Sequence, residues 1–212
     1  MSNERTYIPV GNEVYVDIEK ETNNTIEVGG EELFLDTDFN RFWHARQYGK
    51  VKYIPRRFKK EAEDNIDLAK GDKIYVHHFL IDESHTLEVY GEKLYWVPYG
   101  LCFCIVRDGE LHMLNDYILA KPVLEPEENY KTSSGLFLKA EPERLERIAK
   151  VVKTNHTSHE DNLQEGDYVV FANDADYEME IEGEKYYVMK NKECLLRLDN
   201  YEQERPNYEI TG

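Results

Sequence analysis

Gly91-Glu92-Lys93-Leu94-Tyr95-Trp96-Val97 reads as a β-strand entered through a turn, and the same reading returns 92 residues later in Gly183-Glu184-Lys185-Tyr186-Tyr187-Val188-Met189. The glycine supplies the turn, and the β-branched and aromatic residues behind it suit a half-buried pleated surface. The match runs without a gap from Gly91–Val106 to Gly183–Leu198 and lays Cys102 over Cys194. Upstream of it, Gly71-Asp72 falls on Gly166-Asp167 at an offset of 95, and Lys50-Val51 on Lys150-Val151 at 100. At the front, Asn12-Glu13-Val14-Tyr15-Val16 falls on Asn115-Asp116-Tyr117-Ile118-Leu119, and Leu33-Phe34-Leu35 on Leu136-Phe137-Leu138, both at 103. The blocks keep their order, so the chain is a tandem duplication whose first copy has the longer loops. A period of about 100 residues is the size of a small domain and too long for a solenoid.

The remaining segments agree with strands. Val14-Tyr15-Val16-Asp17-Ile18, Lys73-Ile74-Tyr75-Val76 and Tyr168-Val169-Val170-Phe171 are short and rich in β-branched and aromatic residues, and the chain holds 16 tyrosines. Gly29-Gly30 and Asp108-Gly109 are turn dipeptides, and Asp-Gly is among the strongest hairpin signals. Helix is expected only after Pro142, where Glu143-Arg144-Leu145-Glu146-Arg147-Ile148 would form one or two turns with Glu143 and Arg147 paired at i, i+4. The expected fold is all-β: two tandem small β-barrels with little helix, residues 1–110 and 111–200, and a loose tail over 201–212.

Composition removes several function classes. The chain of 212 residues carries 43 acidic and 26 basic side chains, a formal net charge of -17. Binding to nucleic acid needs a basic surface, and the one basic run, Arg56-Arg57-Phe58-Lys59-Lys60, is followed at once by Glu61, Glu63 and Asp64. No stretch approaches the ~18 apolar residues of a membrane span, and the first residues lack a signal peptide's apolar core. Three cysteines cannot all pair internally, so reduced thiols and a cytoplasmic location are expected.

The second copy resembles the GroES family of co-chaperonins. Asn115-Asp116-Tyr117-Ile118-Leu119-Ala120-Lys121-Pro122 is similar to the family's first strand. The polar run from Glu125 to Ser134, ending in Gly135-Leu136-Phe137-Leu138, is similar to its mobile loop with an apolar tripod. Glu165-Gly166-Asp167-Tyr168-Val169-Val170-Phe171 is similar to its Val-Gly-Asp-x-Val-x-Phe strand. The first copy resembles the family through the second, with Leu33, Phe34 and Leu35 as its tripod, although Glu31 and Glu32 stand where the family places glycine or an aliphatic residue. The resemblance implies two GroES-like domains and a co-chaperonin that caps a GroEL-type chaperonin ring through mobile hydrophobic loops. It implies nucleotide-dependent contact with that ring, a homo-oligomeric ring of its own, neighbours meeting through terminal strands, and no cofactor. Gly135, Leu136, Phe137, Leu138, Leu33, Phe34 and Leu35 are the implied chaperonin-binding residues.

Two other readings stay open. Neither copy has a Gly-rich hairpin between its middle strands, so the chain could be a non-enzymatic assembly module, such as a phage-encoded component, that keeps the barrels without capping. A barrel that binds a small molecule would need a lined cavity. Cys102-x-Cys104 on a regular strand would point both thiols to one face, where a histidine could complete a zinc site. His77-His78 is the nearest pair, but strand cysteines more often serve as small hydrophobes. His156-Thr157-Ser158-His159 reads as a solvated loop. No catalytic motif is present, and no enzyme, cofactor or metal is expected.

Overall fold

The structure is a computed structural model that describes residues 7–18, 25–28, 31–34, 47–55, 68–80, 83–89, 91–125, 143–155, 163–199 and 201. The chain divides into two compact units, Met1–Asn115 and Asp116–Gly212. Both are built from strands, as the alternating aromatic and β-branched segments require.

The first unit contains β1 (Glu13–Asp17), β2 (Thr25–Val28), β3 (Glu31–Phe34), β4 (Tyr48–Tyr53), β5 (Lys73–Val76), β6 (Thr86–Val89), β7 (Glu92–Pro98), β8 (Cys102–Arg107) and β9 (Glu110–Met113). Seven of them form one sheet in the order β6-β7-β1-β4-β5-β8-β9, while β2 and β3 form a separate hairpin. Val14, Val16, Val51, Ile74, Val76, Tyr95, Val97, Cys102, Ile105 and Leu114 are buried in one core cluster.

The second unit contains β10 (Tyr117–Leu124), β11 (Arg144–Lys153), β12 (Tyr168–Phe171), β13 (Tyr177–Ile181), β14 (Glu184–Lys190) and β15 (Cys194–Leu198). Its sheet runs β13-β14-β10-β11-β12-β15. Its main core holds Ile118, Ala120, Ala149, Val151, Leu163, Val169, Phe171, Tyr187 and Met189.

The two sheets share one strand order, with β9 as the addition in the first. The correspondence extends to single hydrogen bonds. Gly71 N–H donates to Val51 O, Val51 N–H to Asp72 O, and Asp72 N–H to Ala69 O; Gly166, Val151 and Asp167 repeat all three, with Gln164 in place of Ala69. Each aspartate also receives a backbone N–H on its carboxylate, Ala69 N at 2.7 Å and Gln164 N at 2.8 Å. Gly71 and Gly166 adopt φ of +100° and +99° there, a conformation that favours glycine.

Pairing corrects the front of the repeat by one residue. Val14 lies opposite Val97 and Val16 opposite Tyr95, whereas Ile118 lies opposite Met189 and Ala120 opposite Tyr187. With β7 and β14 related by 92, β1 maps onto β10 at 104, not 103. The core agrees, since Val14 and Val16 are matched by Ile118 and Ala120. A slip of one would have turned every side chain to the other face.

The helix expected after Pro142 does not form; Arg144 to Lys153 is β11, paired with both β10 and β12. Burial of Ile148, Ala149 and Val151 in the sheet outweighs a surface charge pair worth about 0.3 kcal/mol. The strand is irregular at its start. Pro122 faces Ala149 but Leu124 faces Arg144, and Arg147 sits in the bulge with φ of +58°. Tyr201, placed by the sequence at the head of a loose tail, is buried with Val123 and Ile148, and Leu145, Tyr168 and Leu198 pack against them. Residues 202–212 lie outside the described residues. Among the described residues no helix is long and apolar enough to cross a membrane.

Candidate functional site

In the second unit β10 and β11 are closed at one end by a neck. Glu125 N–H donates to Glu143 O at 2.9 Å, and Glu143 N–H donates to a carboxylate oxygen of Glu125 at 2.8 Å. The next pair inward is Leu124 with Arg144. Arg144 then reaches across β10: its guanidinium binds the Glu178 carboxylate on β13 and donates to Tyr187 Oη at 3.2 Å, lying 5.7 Å from that ring's centroid. Burial pushes the Tyr187 phenol's pKa up, against the opposing pull of the Arg144 hydrogen bond. Seventeen residues, 126–142, separate the two sides of the neck. Gly135, Leu136, Phe137 and Leu138 fall in that interval and lie outside the described residues, as does Leu35.

The corresponding stretch of the first unit contains a hairpin. Thr25 pairs with Phe34, Ile26 with Leu33, Glu27 with Glu32 and Val28 with Glu31, so Leu33 and Phe34 are positions of β3. Two residues, Gly29 and Gly30, join the strands, which is the shortest common hairpin connection.

The sheet edges differ in a way the sequence did not reveal. On β8, Phe103 and Cys104 are 3% and 0% exposed; their equivalents on β15, Leu195 and Leu196, are 53% and 61% exposed. The first edge is covered because Asp108-Gly109 returns the chain as β9, which pairs Met113 with Cys104 and His112 with Ile105. Leu114 N–H then donates to Phe103 O, and the Leu114 side chain joins the core. At the 104-residue offset, the segment before β1 corresponds to β9, with Ile8 over His112 and Val10 over Leu114. Leu114 is 5% exposed, whereas Ile8 is 51% and Val10 fully exposed.

The two-thiol arrangement fails for a reason visible in the pairing. Cys102 lies opposite Val76 but Cys104 opposite Tyr75, with a bulge between. Val76 and Tyr75 are consecutive on β5 and face opposite ways, so the two thiols do too. Burial pushes the Cys102 thiol far up and that of Cys104 up to about 12. His77 and His78 stack at 4.6 Å, with His77 also edge-on to Phe103 at 6.2 Å. Burial, then the neighbouring His78, lowers the His77 pKa to about 4. Among the described residues no group of three or more His, Cys, Asp or Glu could hold a metal ion. His156 and His159 lie outside them.

A family model described as the chaperonin 10 Kd subunit matches residues 110–197, from β9 to the end of the second unit's sheet. The chain is also similar to the co-chaperonin GroES of Aquifex aeolicus (strain VF5), 33% identical over 99 residues, covering 43% of this chain and 80% of that protein.

Proposed function

Because the chain belongs to the chaperonin 10 kDa family, whose members include co-chaperonin GroES, we propose that it caps a GroEL-type chaperonin ring, in a nucleotide-dependent cycle, and so assists folding of a client inside. The reading is non-enzymatic and cytoplasmic. The observation that carries it is the neck at Glu125 and Glu143, which holds both ends of the interval bearing Gly135-Leu136-Phe137-Leu138 at one point of a family-matched sheet.

Docking through that interval has sensible energetics. Burying each of Leu136, Phe137 and Leu138 would contribute about 1.5–3 kcal/mol. Ordering the polar residues beside them would cost about 1 kcal/mol each. One such contact is weak, which suits a cap that must leave every cycle, and several on one ring gain strength through effective concentration.

The first unit is read as a second GroES-like unit, supported by its identical strand order and the repeated Asp72 and Asp167 turns. Its Leu33, Phe34 and Leu35 are the weaker partners in docking. Glu31 and Glu32 precede them, and Leu33 and Phe34 are already committed to β3.

The same repeat supports a ring of chains. What β9 and Leu114 do for β8, the exposed Ile8–Val10 segment of one copy would do for the exposed β15 edge of another. That contact is head-to-tail, and a heterologous contact closes into a ring when its rotation permits. Mass measurement in solution tests this part: the wild type should be a defined oligomer, and Val10→Asp should release it to monomers.

The capping role is tested by retention on an immobilised GroEL-type ring with nucleotide. The wild type should be held, and a Leu136→Ser/Phe137→Ser variant should be lost. Equal retention of both would leave the assembly-module reading as the better one.

A further inference from the structure

The neck of the second unit is more elaborate than pairing of β10 with β11 requires. Beyond Pro122 and Ala149 the ladder is interrupted by the bulge at Leu145–Arg147, and Leu124 pairs with Arg144 on its far side. Such a pair would fray, because the bulge separates it from the regular ladder. Arg144 ties it down from one side. Its side chain crosses β10 to Glu178 and to Tyr187, and Tyr187 is itself buried in the unit's core. On the bulge, Arg147 Nε donates to Phe171 O at 2.9 Å, while Leu145 packs against the cluster of Val123, Ile148 and Tyr201. The start of β11 is thus fastened on two sides.

We propose that Arg144 is a positioning residue: by clamping the Leu124–Arg144 pair to β13 and β14, it keeps Glu125 and Glu143 joined and fixes the neck that holds both ends of the docking interval. Its link to function rests on the co-chaperonin reading, whereas the clamp itself does not. Without it the neck would open back toward the pair of Pro122 and Ala149. Closing a longer loop costs little, but every added residue has to be ordered when the interval docks, which weakens docking.

The test uses the full chain and three variants: Arg144→Ala, the conservative Arg144→Lys, and Arg197→Ala. The last removes an equally exposed arginine, on β15, that pairs with Asp199. Amide hydrogen exchange on the free protein should quicken by about fivefold at Glu125 and Glu143 in Arg144→Ala, the worth of about one hydrogen-bonded surface pair. It should stay unchanged at Val151 and Val169, recover in part in Arg144→Lys, and not move in Arg197→Ala. Unchanged exchange at Glu125 and Glu143 would overturn the clamp whatever the chaperonin does. Affinity for a GroEL-type ring with nucleotide should fall in Arg144→Ala but not in Arg197→Ala. Quickened exchange with unaltered affinity would overturn the positioning role. If the wild type itself is not retained by the ring, the co-chaperonin reading fails, and the exchange data still decide whether Arg144 holds the neck.

Discussion

The two units spend nearly the same set of strands on opposite ends. In the first, the edge strand β8 is covered by β9, and Phe103 and Cys104 beneath are buried; in the second, β15 leaves Leu195 and Leu196 exposed. In the first, β2 and β3 occupy the connection after β1; in the second, the connection after β10 is pinched at Glu125 and Glu143. Two sheets of one strand order thus have matching cores and differ where backbone groups or apolar side chains remain to be satisfied.

The sharpest contrast lies at equivalent edge positions. Phe103→Ala should destabilise the first unit by about 3 kcal/mol or more, as loss of a buried aromatic does. Leu195→Ala should change the stability of the monomer by less than about 0.5 kcal/mol, as for an exposed site. Denaturant unfolding of both variants, at a concentration where the wild type is monomeric, measures the gap. Equal losses would mean that β15 is covered after all.

The two repeated aspartates should separate next. Asp72 is buried and gripped by Arg107 through Nε at 2.9 Å and a terminal nitrogen at 2.7 Å, besides Ala69 N–H. The Asp167 carboxylate accepts from Gln164 N–H and, among the described residues, has no arginine partner. Asp72→Asn should therefore cost about 2 kcal/mol and Asp167→Asn about 1 kcal/mol or less. Burial by itself would raise the Asp72 pKa, but the Arg107 hydrogen bond, the Ala69 amide and the Arg107 charge outweigh it, and the net pKa is lowered. A lowered folded-state pKa adds stability that is complete above the unfolded value, about 4, and lost as pH falls through the folded one. The gap between wild type and Asp72→Asn should accordingly close under acid conditions in thermal melts. A gap that persists undiminished at pH 2 would remove the ion pair as its cause.

The smallest effect belongs to the hairpin turns. Asp108-Gly109 and Glu182-Gly183 both place their first residue at φ of +52°, followed by glycine at +81° and +85°. Aspartate tolerates that conformation better than glutamate. Glu182→Asn should stabilise the second unit by about 0.5 kcal/mol, and Asp108→Glu should destabilise the first by a similar amount. Melting temperatures moving in the same direction for both would break the parallel.

Much of the fold was legible in the sequence because its strands are short, aromatic and bounded by glycine turns. The Gly71-Asp72 and Gly166-Asp167 repeat was readable for the same reason: its backbone geometry permits few residues. The front of the repeat was misread by one because Asn12 matches Asn115 in type. Asn115, however, adopts φ of +53° and donates its side-chain amide to Tyr99 O and Cys102 O, a turn role separate from β10. Glu143 and Arg147 imitated a helical charge pair, and only pairing with distant strands settles that segment as β11. The bulge that parts Cys102 from Cys104 and the exposure of Leu195 and Leu196 on β15 are likewise non-local, since each depends on which strand lies alongside. The neck was hidden because Glu125, Glu143, Arg144 and Glu178 are ordinary surface residues until the sheet gathers them.

The most direct measurement is amide hydrogen exchange of the full chain, free and bound to a GroEL-type ring with nucleotide. Exchange across Gly135, Leu136, Phe137 and Leu138 should slow strongly on binding, with a smaller change at Leu33 and Phe34. Stable binding that leaves Gly135 to Leu138 exchanging at the free rate would contradict the account.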